Sequence, residues 1–276
     1  MNRGRRRALL GLGTWPMSAL ALPASAAGAG AAVSAGASAP DSPVWPRVVA
    51  SVFNGRPIAT ATADVLRLAA PARAVDAAFV PVTVLAGDPG IRRITLVVDN
   101  NPAPVAAVLQ FGAAVHNADL ETRLRVDEYS WVRAVAERAD GTLVMAARYV
   151  KAAGGCSAPA GADAQAAAAS LGRMQLQVDQ PVRGQPTVLR WQISHPNHSG
   201  LAMDQATRHY TPAHFVRLLD LHYDGQPLLH AELDFALSEN PSLRLQFTPQ
   251  RAGLLQAQAE DTQGRRFDAS LAVSPA

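Results

Sequence analysis

Ile91-Arg92-Arg93-Ile94-Thr95-Leu96-Val97-Val98, then the turn Asn100-Asn101-Pro102-Ala103-Pro104, then the run Val105 to Phe111, is the stretch from which the fold is read. Runs of seven or eight residues rich in Val, Ile and Leu, broken by Asn and Pro, describe two short strands rather than one helix. The same two-residue period recurs outward at Val65/Arg67, Ala78 to Leu85, Leu120 to Leu124, Trp131 to Glu137 and Leu143 to Val150. Turns at Gly87-Asp88-Pro89-Gly90 and Ala139-Asp140-Gly141 separate them at the spacing of a sandwich. Before them, Val44, Val48, Val49, Val52 and Phe53 repeat at helical spacing, with Pro46 in the first turn and Asn54-Gly55 at the end. Residues 44–152 are therefore expected to be a β-sandwich with a short N-terminal helix.

Residues 153–170 hold Gly, Ala, Ser and Pro but no large apolar side chain, so they are read as an arm and linker. Strand periodicity resumes at Met174 to Val178 and continues through Thr187 to Ile193, Phe215 to Tyr223, Leu228 to Leu237, Leu243 to Phe247, Leu254 to Ala259 and Phe267 to Val273. Asp224-Gly225, Glu239-Asn240-Pro241 and Thr262-Gln263-Gly264 supply the turns. The fold class is all-β, two Ig-like β-sandwich domains, the second over residues 171–276. Trp131 and Trp191 fall at alternating strand positions and are read as core.

The chain of 276 residues carries 25 Lys+Arg, one of them lysine, against 22 Asp+Glu, a formal charge of +3. Four of those arginines, Arg3, Arg5, Arg6 and Arg7, precede an apolar, alanine-rich run that ends in Pro23-Ala24-Ser25-Ala26. That is the layout of an export signal over residues 1–26. Its loss takes away four positive charges and no acid, so +3 becomes −1. A nearly neutral surface argues against a nucleic-acid partner. The apolar run is shorter than the roughly 20 residues of a membrane span, and none is expected in the mature chain. Residues 27–43, almost entirely Ala, Gly, Ser and Pro, are read as a disordered linker. The expected location is the periplasm or the exterior.

The chain has one cysteine, Cys156, which excludes an internal disulfide, a Cys-x-x-Cys pair and a multi-thiolate metal site. It follows Gly154 and Gly155 and precedes Ser157-Ala158-Pro159, a setting read as flexible. A catalytic thiol needs the reverse, a fixed rotamer against an oriented histidine. A mobile thiol suits a carrier that visits other proteins' sites, tethered within about 13 Å of Ala152 at about 3.3 Å per residue. Such a thiol is expected to react rapidly with a bulky alkylating reagent, and Lys151 is a candidate for modest support of the thiolate. The alternatives are an incidental free cysteine, a thiol enzyme pairing Cys156 with a histidine, and an interaction module without thiol chemistry. Oxidation would also permit two copies to pair through Cys156 as a disulfide dimer. Six of the seven histidines lie between residues 195 and 230, but no helical His-x-x-x-His spacing or acid-rich cluster accompanies them, and no metal is expected.

Arg6-Arg7-Ala8-Leu9-Leu10 resembles the twin-arginine export signal, an ordinary signal peptide being the alternative. Val150-Lys151-Ala152-Ala153-Gly154-Gly155-Cys156 and the Asn100-Asn101-Pro102-Ala103-Pro104 turn resemble SoxY, the sulfur-compound carrier of thiosulfate oxidation. His195-Pro196-Asn197-His198-Ser199-Gly200, Thr211-Pro212-Ala213-His214-Phe215-Val216 and Ser238-Glu239-Asn240-Pro241 resemble its partner SoxZ. The Y-then-Z order is similar to the fused SoxYZ-like carriers associated with quinoprotein dehydrogenases. The resemblance implies a periplasmic, non-enzymatic carrier with a covalent sulfur adduct on Cys156 and no other cofactor. It implies partners among Sox-type cytochromes or a quinoprotein dehydrogenase system, and places His195 and His214 near the contact between the halves. In SoxY the cysteine lies on a glycine-rich C-terminus, whereas here it is internal.

Overall fold

The computed structural model describes residues 42–115, 118–158, 164–204 and 207–276; the expected export signal and the linker as far as residue 41 lie outside the described residues. The first half contains α1 (Trp45–Val52) and strands β1 (Ile58–Thr60), β2 (Leu66–Ala69), β3 (Val80–Ala86), β4 (Ile91–Val98), β5 (Val105–Phe111), β6 (Asp119–Leu124), β7 (Ser130–Arg138) and β8 (Leu143–Val150). The second contains α2 (Ala164–Ser170) and strands β9 (Met174–Val178), β10 (Thr187–Ile193), β11 (Val216–Tyr223), β12 (Gln226–Leu233), β13 (Ser242–Phe247), β14 (Gly253–Asp261) and β15 (Arg266–Val273). The fold is all-β, as expected, with the short helix on the first domain.

The strands form two sheets that run through both halves. The larger has the order β1-β8-β7-β4-β5-β12-β11-β14-β15 and the smaller β2-β3-β6-β13-β10-β9. The seam in the larger sheet is the antiparallel pair β5·β12, with five residue pairs from Leu229↔Phe111 to Leu233↔Ala107. In the smaller it is β6·β13, at Arg244↔Glu121. What unites the halves is therefore shared strand edges, which would otherwise expose unpaired N–H and C=O groups, rather than the linker. Gly112 at the seam has no room for a side chain, since a Cβ there would overlap the Pro227 carbonyl oxygen and lie 2.6 Å from its carbon. One hydrophobic cluster, from Leu66 to Val273, fills the space between the sheets and includes Trp191.

α1 ends as its sequence dictates, with Asn54 and Gly55 at φ 53° and 69° and the Gly55 amide donating to Val49 O at 3.0 Å. It covers the opposite face of the large sheet. Val97 lies between Leu96 and Val98 in β4, and with Val135, Leu143 and Met145 it meets Val48 and Phe53 of the helix. Below the helix, Arg133 makes a bidentate pair with Asp99, at 2.8 and 2.6 Å, under the Trp45 ring. Asp224-Gly225, at φ 50° and 76°, forms the two-residue turn between Tyr223 and Gln226.

Three expectations are corrected. β1, three residues paired parallel to β8, is too short to leave a periodic signal. β12 stops at Leu233 instead of Leu237, because the chain turns at Asp234 to send Ala236 O to the Arg125 amide across the seam, at 2.7 Å. Residues 153–170 are not a uniformly loose linker: Gly155 and Cys156 are buried between exposed neighbours, and the alanine run from 164 to 170 is helical, alanine being the strongest helix former.

Candidate functional site

β8 ends at Val150, and Lys151 then bridges to Arg73 through its backbone. The chain next lies along the connection between β6 and β7. Gly154 N donates to Asp127 O at 2.7 Å, Gly155 N to Val126 O at 3.0 Å and Cys156 N to Asp127 Oδ1 at 3.2 Å. The Asn-Asn-Pro turn supports this connection, because Asn101 Oδ1 accepts from the Asp127 amide at 2.9 Å and Asn101 Nδ2 donates to Arg125 O at 2.8 Å. Gly154 sits at φ 81°, the left-handed region that glycine enters without strain. Gly155 has the opposite reason for being glycine: a Cβ would overlap Ala77 O and lie 2.7 Å from Val126 N.

The second half closes over this segment. Ser199 Oγ donates to Cys156 O, and Arg125 reaches Gly155 O with Nη1 at 3.2 Å and Asn197 O with Nη2 at 3.4 Å. Asn197 is fixed in turn, donating from Nδ2 to Leu237 O at 2.9 Å and accepting on Oδ1 from the Val216 amide at 3.0 Å. Cys156 is 0% exposed.

The expectation of an exposed, loosely held thiol is thus overturned. Its residues lack large side chains, as expected, but small size here allows backbones to approach, and the resulting hydrogen bonds hold the segment down. Burial pushes the Cys156 thiol up to about 12, with Asp127 and Asp234 adding to the shift and Arg125 opposing it. The thiol is neutral and is not a nucleophile in this position. Lys151 is exposed, and Arg125 is the cation that acts on the thiol. Burial also lowers the pKa of Arg125 and raises Asp234 to about 6. Arg125 Nε and Asp234 Oδ1 are buried without a partner.

His195 and His214 come together with ring centroids 4.5 Å apart, and His214 Nε2 donates to Asp261 Oδ2 at 2.7 Å. Burial works against the Asp261 carboxylate, yet bonds from His214 and the Arg265 and Gln263 amides hold it below the usual range. One donor atom from each of the three residues lies within 4.8 Å of the others. The tautomer runs against a cation there. His195 Nδ1 accepts from the Asn197 amide at 3.1 Å, so the neutral ring keeps its proton on Nε2, and burial pulls its pKa down to about 4. The trio ties together the ends of β10, β11 and β14. The side-chain partners of both histidines lie in the second half, and it is Asn197 and Ser199 between them that touch the first.

Arg125, Asp127, Asp234 and Ser199 were not singled out from the sequence as site residues. Ser199 lies within the SoxZ-like stretch His195-Pro196-Asn197-His198-Ser199-Gly200. Arg125 follows the last residue of β6, and neither periodicity nor spacing marks it.

Comparison with known proteins bears on this site. The model of the family described as sulfur oxidation protein SoxY matches residues 49–156, and that of sulphur oxidation protein SoxZ matches 174–272. The chain is a SoxY–SoxZ fusion, in that order. No curated protein matches. Among solved structures, the sulfur carrier protein SoxY from Chlorobium limicola f thiosulfatophilum is 27% identical, covering 40% of this chain and 92% of that one, with a TM-score of 0.34. A superoxide reductase (neelaredoxin) from Ignicoccus hospitalis is 15% identical over 39% of this chain and 83% of that one, with a TM-score of 0.28. The SoxY match ends on Cys156 itself. The SoxY half supplies Arg125, Asp127 and the thiol, and the SoxZ half supplies Asn197, Ser199 and Asp234.

Proposed function

We propose that this protein is a non-enzymatic carrier that bears sulfur-containing intermediates covalently on Cys156 and presents them in the periplasm to redox enzymes of sulfur oxidation. The observation that carries the reading is the place of the one cysteine: the last residue of the SoxY match, on a segment that crosses no sheet and can leave without breaking one. Five hydrogen bonds hold it, from the amides of Gly154, Gly155 and Cys156, from Ser199 to Cys156 O and from Arg125 to Gly155 O. Release exchanges these bonds for bonds to water and returns backbone freedom to the segment, so an open state is one that a partner can capture. Among the described residues no helix is long and apolar enough to cross a membrane.

The test is intact mass spectrometry of protein isolated from the periplasm. The reading requires a reductant-sensitive adduct that is absent from Cys156→Ser, and unmodified thiol under every growth condition removes it. The burial of Cys156 favours a second reading, an accessory module of a periplasmic quinoprotein dehydrogenase or cytochrome system that uses no thiol chemistry. Full function in cells carrying Cys156→Ser would select that one. Finding the protein in the cytoplasm would exclude both periplasmic forms.

A further inference from the structure

We propose that residues 153–158 are a latch that closes only over the free thiol, so that an adduct on Cys156 holds the segment out and an unloaded carrier withdraws its sulfur. The biological meaning rests on the carrier reading, but the mechanics rest on geometry alone. In the closed position Cys156 is wholly enclosed, and beside it Gly155 could not bear even a Cβ against Ala77 and Val126. A sulfur lengthened by several heavy atoms must displace one of three things. The connection carrying Arg125 and Asp127 is braced by Asn101 and by Ala236 O across the seam. The loop carrying Ser199 is anchored through Asn197 to Leu237 and Val216. The segment itself belongs to no strand, so it yields first.

Charge acts in the same direction. Asp127 and Asp234 oppose a negative charge at the sulfur, and Arg125, which favours one, already directs two N–H groups at the Gly155 and Asn197 carbonyls. The closed state is also poised to open. Arg125 Nε and Asp234 Oδ1 are buried without partners, and water entering the vacated space would satisfy both. Retraction shields an empty thiol from oxidants, and partner enzymes meet a loaded arm more often than an empty one, which they reach through its minor open state.

The test uses the full chain, incubated at length with sodium (2-sulfonatoethyl) methanethiosulfonate. The protein sulfur displaces methanesulfinate from the reagent, a mixed disulfide forms, and the thiol proton passes to solvent. Amide hydrogen exchange is then followed by mass spectrometry over peptides containing residues 150–158. The conjugate is expected to exchange the Gly154, Gly155 and Cys156 amides at least tenfold faster than the free thiol, with peptides of β4 and β14 unchanged and protection restored by dithiothreitol. Cys156→Ala should stay as protected as the wild type. A conjugate that keeps its protection, or one that loses it throughout β4 and β14, overturns the latch. Neither result touches the carrier reading, and an adduct-free native mass would remove that reading while leaving the exchange measurement standing.

Discussion

Replacing Ser199 with alanine removes the hydroxyl that donates to Cys156 O, and alkylation of the thiol reads the consequence. A thiol with an ordinary pKa of about 9 is roughly one-tenth thiolate at pH 8. With the pKa pushed up to about 12, the fraction falls to about one in 10⁴, so ionisation alone slows reaction roughly a thousandfold before access is counted. Labelling therefore runs through the open state, and its rate follows the opening equilibrium. Loss of one hydrogen bond of about 1 kcal/mol should raise that equilibrium about fivefold, and more if the stranded carbonyl stays buried. The assay is iodoacetamide alkylation at pH 8, quantified by intact mass, for the wild type, Ser199→Ala and the urea-unfolded chain. The wild type should label at least a hundredfold slower than the unfolded chain, and Ser199→Ala should be intermediate. Wild-type labelling within tenfold of the unfolded rate, the behaviour expected of an exposed arm, would show that the enclosed thiol is not the resting state.

Asp234 makes stability depend on pH. Its folded pKa of about 6 stands above the usual carboxylate value near 4, so its contribution is favourable at pH 4 and is lost as pH rises through 6. Two units at about 1.4 kcal/mol each would amount to about 3 kcal/mol, and solvent screening at this half-buried side chain reduces it to about 1–2 kcal/mol, which Asp234→Asn should gain at pH 8 and not at pH 4 in urea titrations. Equal effects at both pH values would refute the assignment. Gly112→Ala forces a Cβ into the Pro227 carbonyl at the seam and should cost about 2–4 kcal/mol in thermal unfolding; a neutral result would mean the β5·β12 contact is looser than described.

Much of the fold could be read along the chain because it depends on neighbours in sequence. The alternation in β4, β5 and β8 puts every second side chain on one face, and the bounds expected for those strands are the ones observed. Pro46 and Asn54-Gly55 likewise fix the limits of α1 through local backbone preferences. Pairing across the seam has no such local code. β5 and β12 are more than 110 residues apart, and nothing in either strand states that its edge is to be shared.

The site divides along the same line. By itself the sequence determined that the chain has a single thiol, that it follows two glycines at the end of a SoxY-like sandwich, and that a SoxZ-like sandwich comes next. Composition also suggested that the thiol would be free, since Gly-Gly-Cys-Ser-Ala has nothing with which to pack. Only the tertiary structure decided otherwise. Glycine's lack of a side chain permits either a loose arm or a very close backbone contact, and which one occurs depends on what stands opposite. Here Asp127 and Val126 offer acceptors, Ser199 and Arg125 offer donors, and the meeting of the two halves brings all of them to one cysteine.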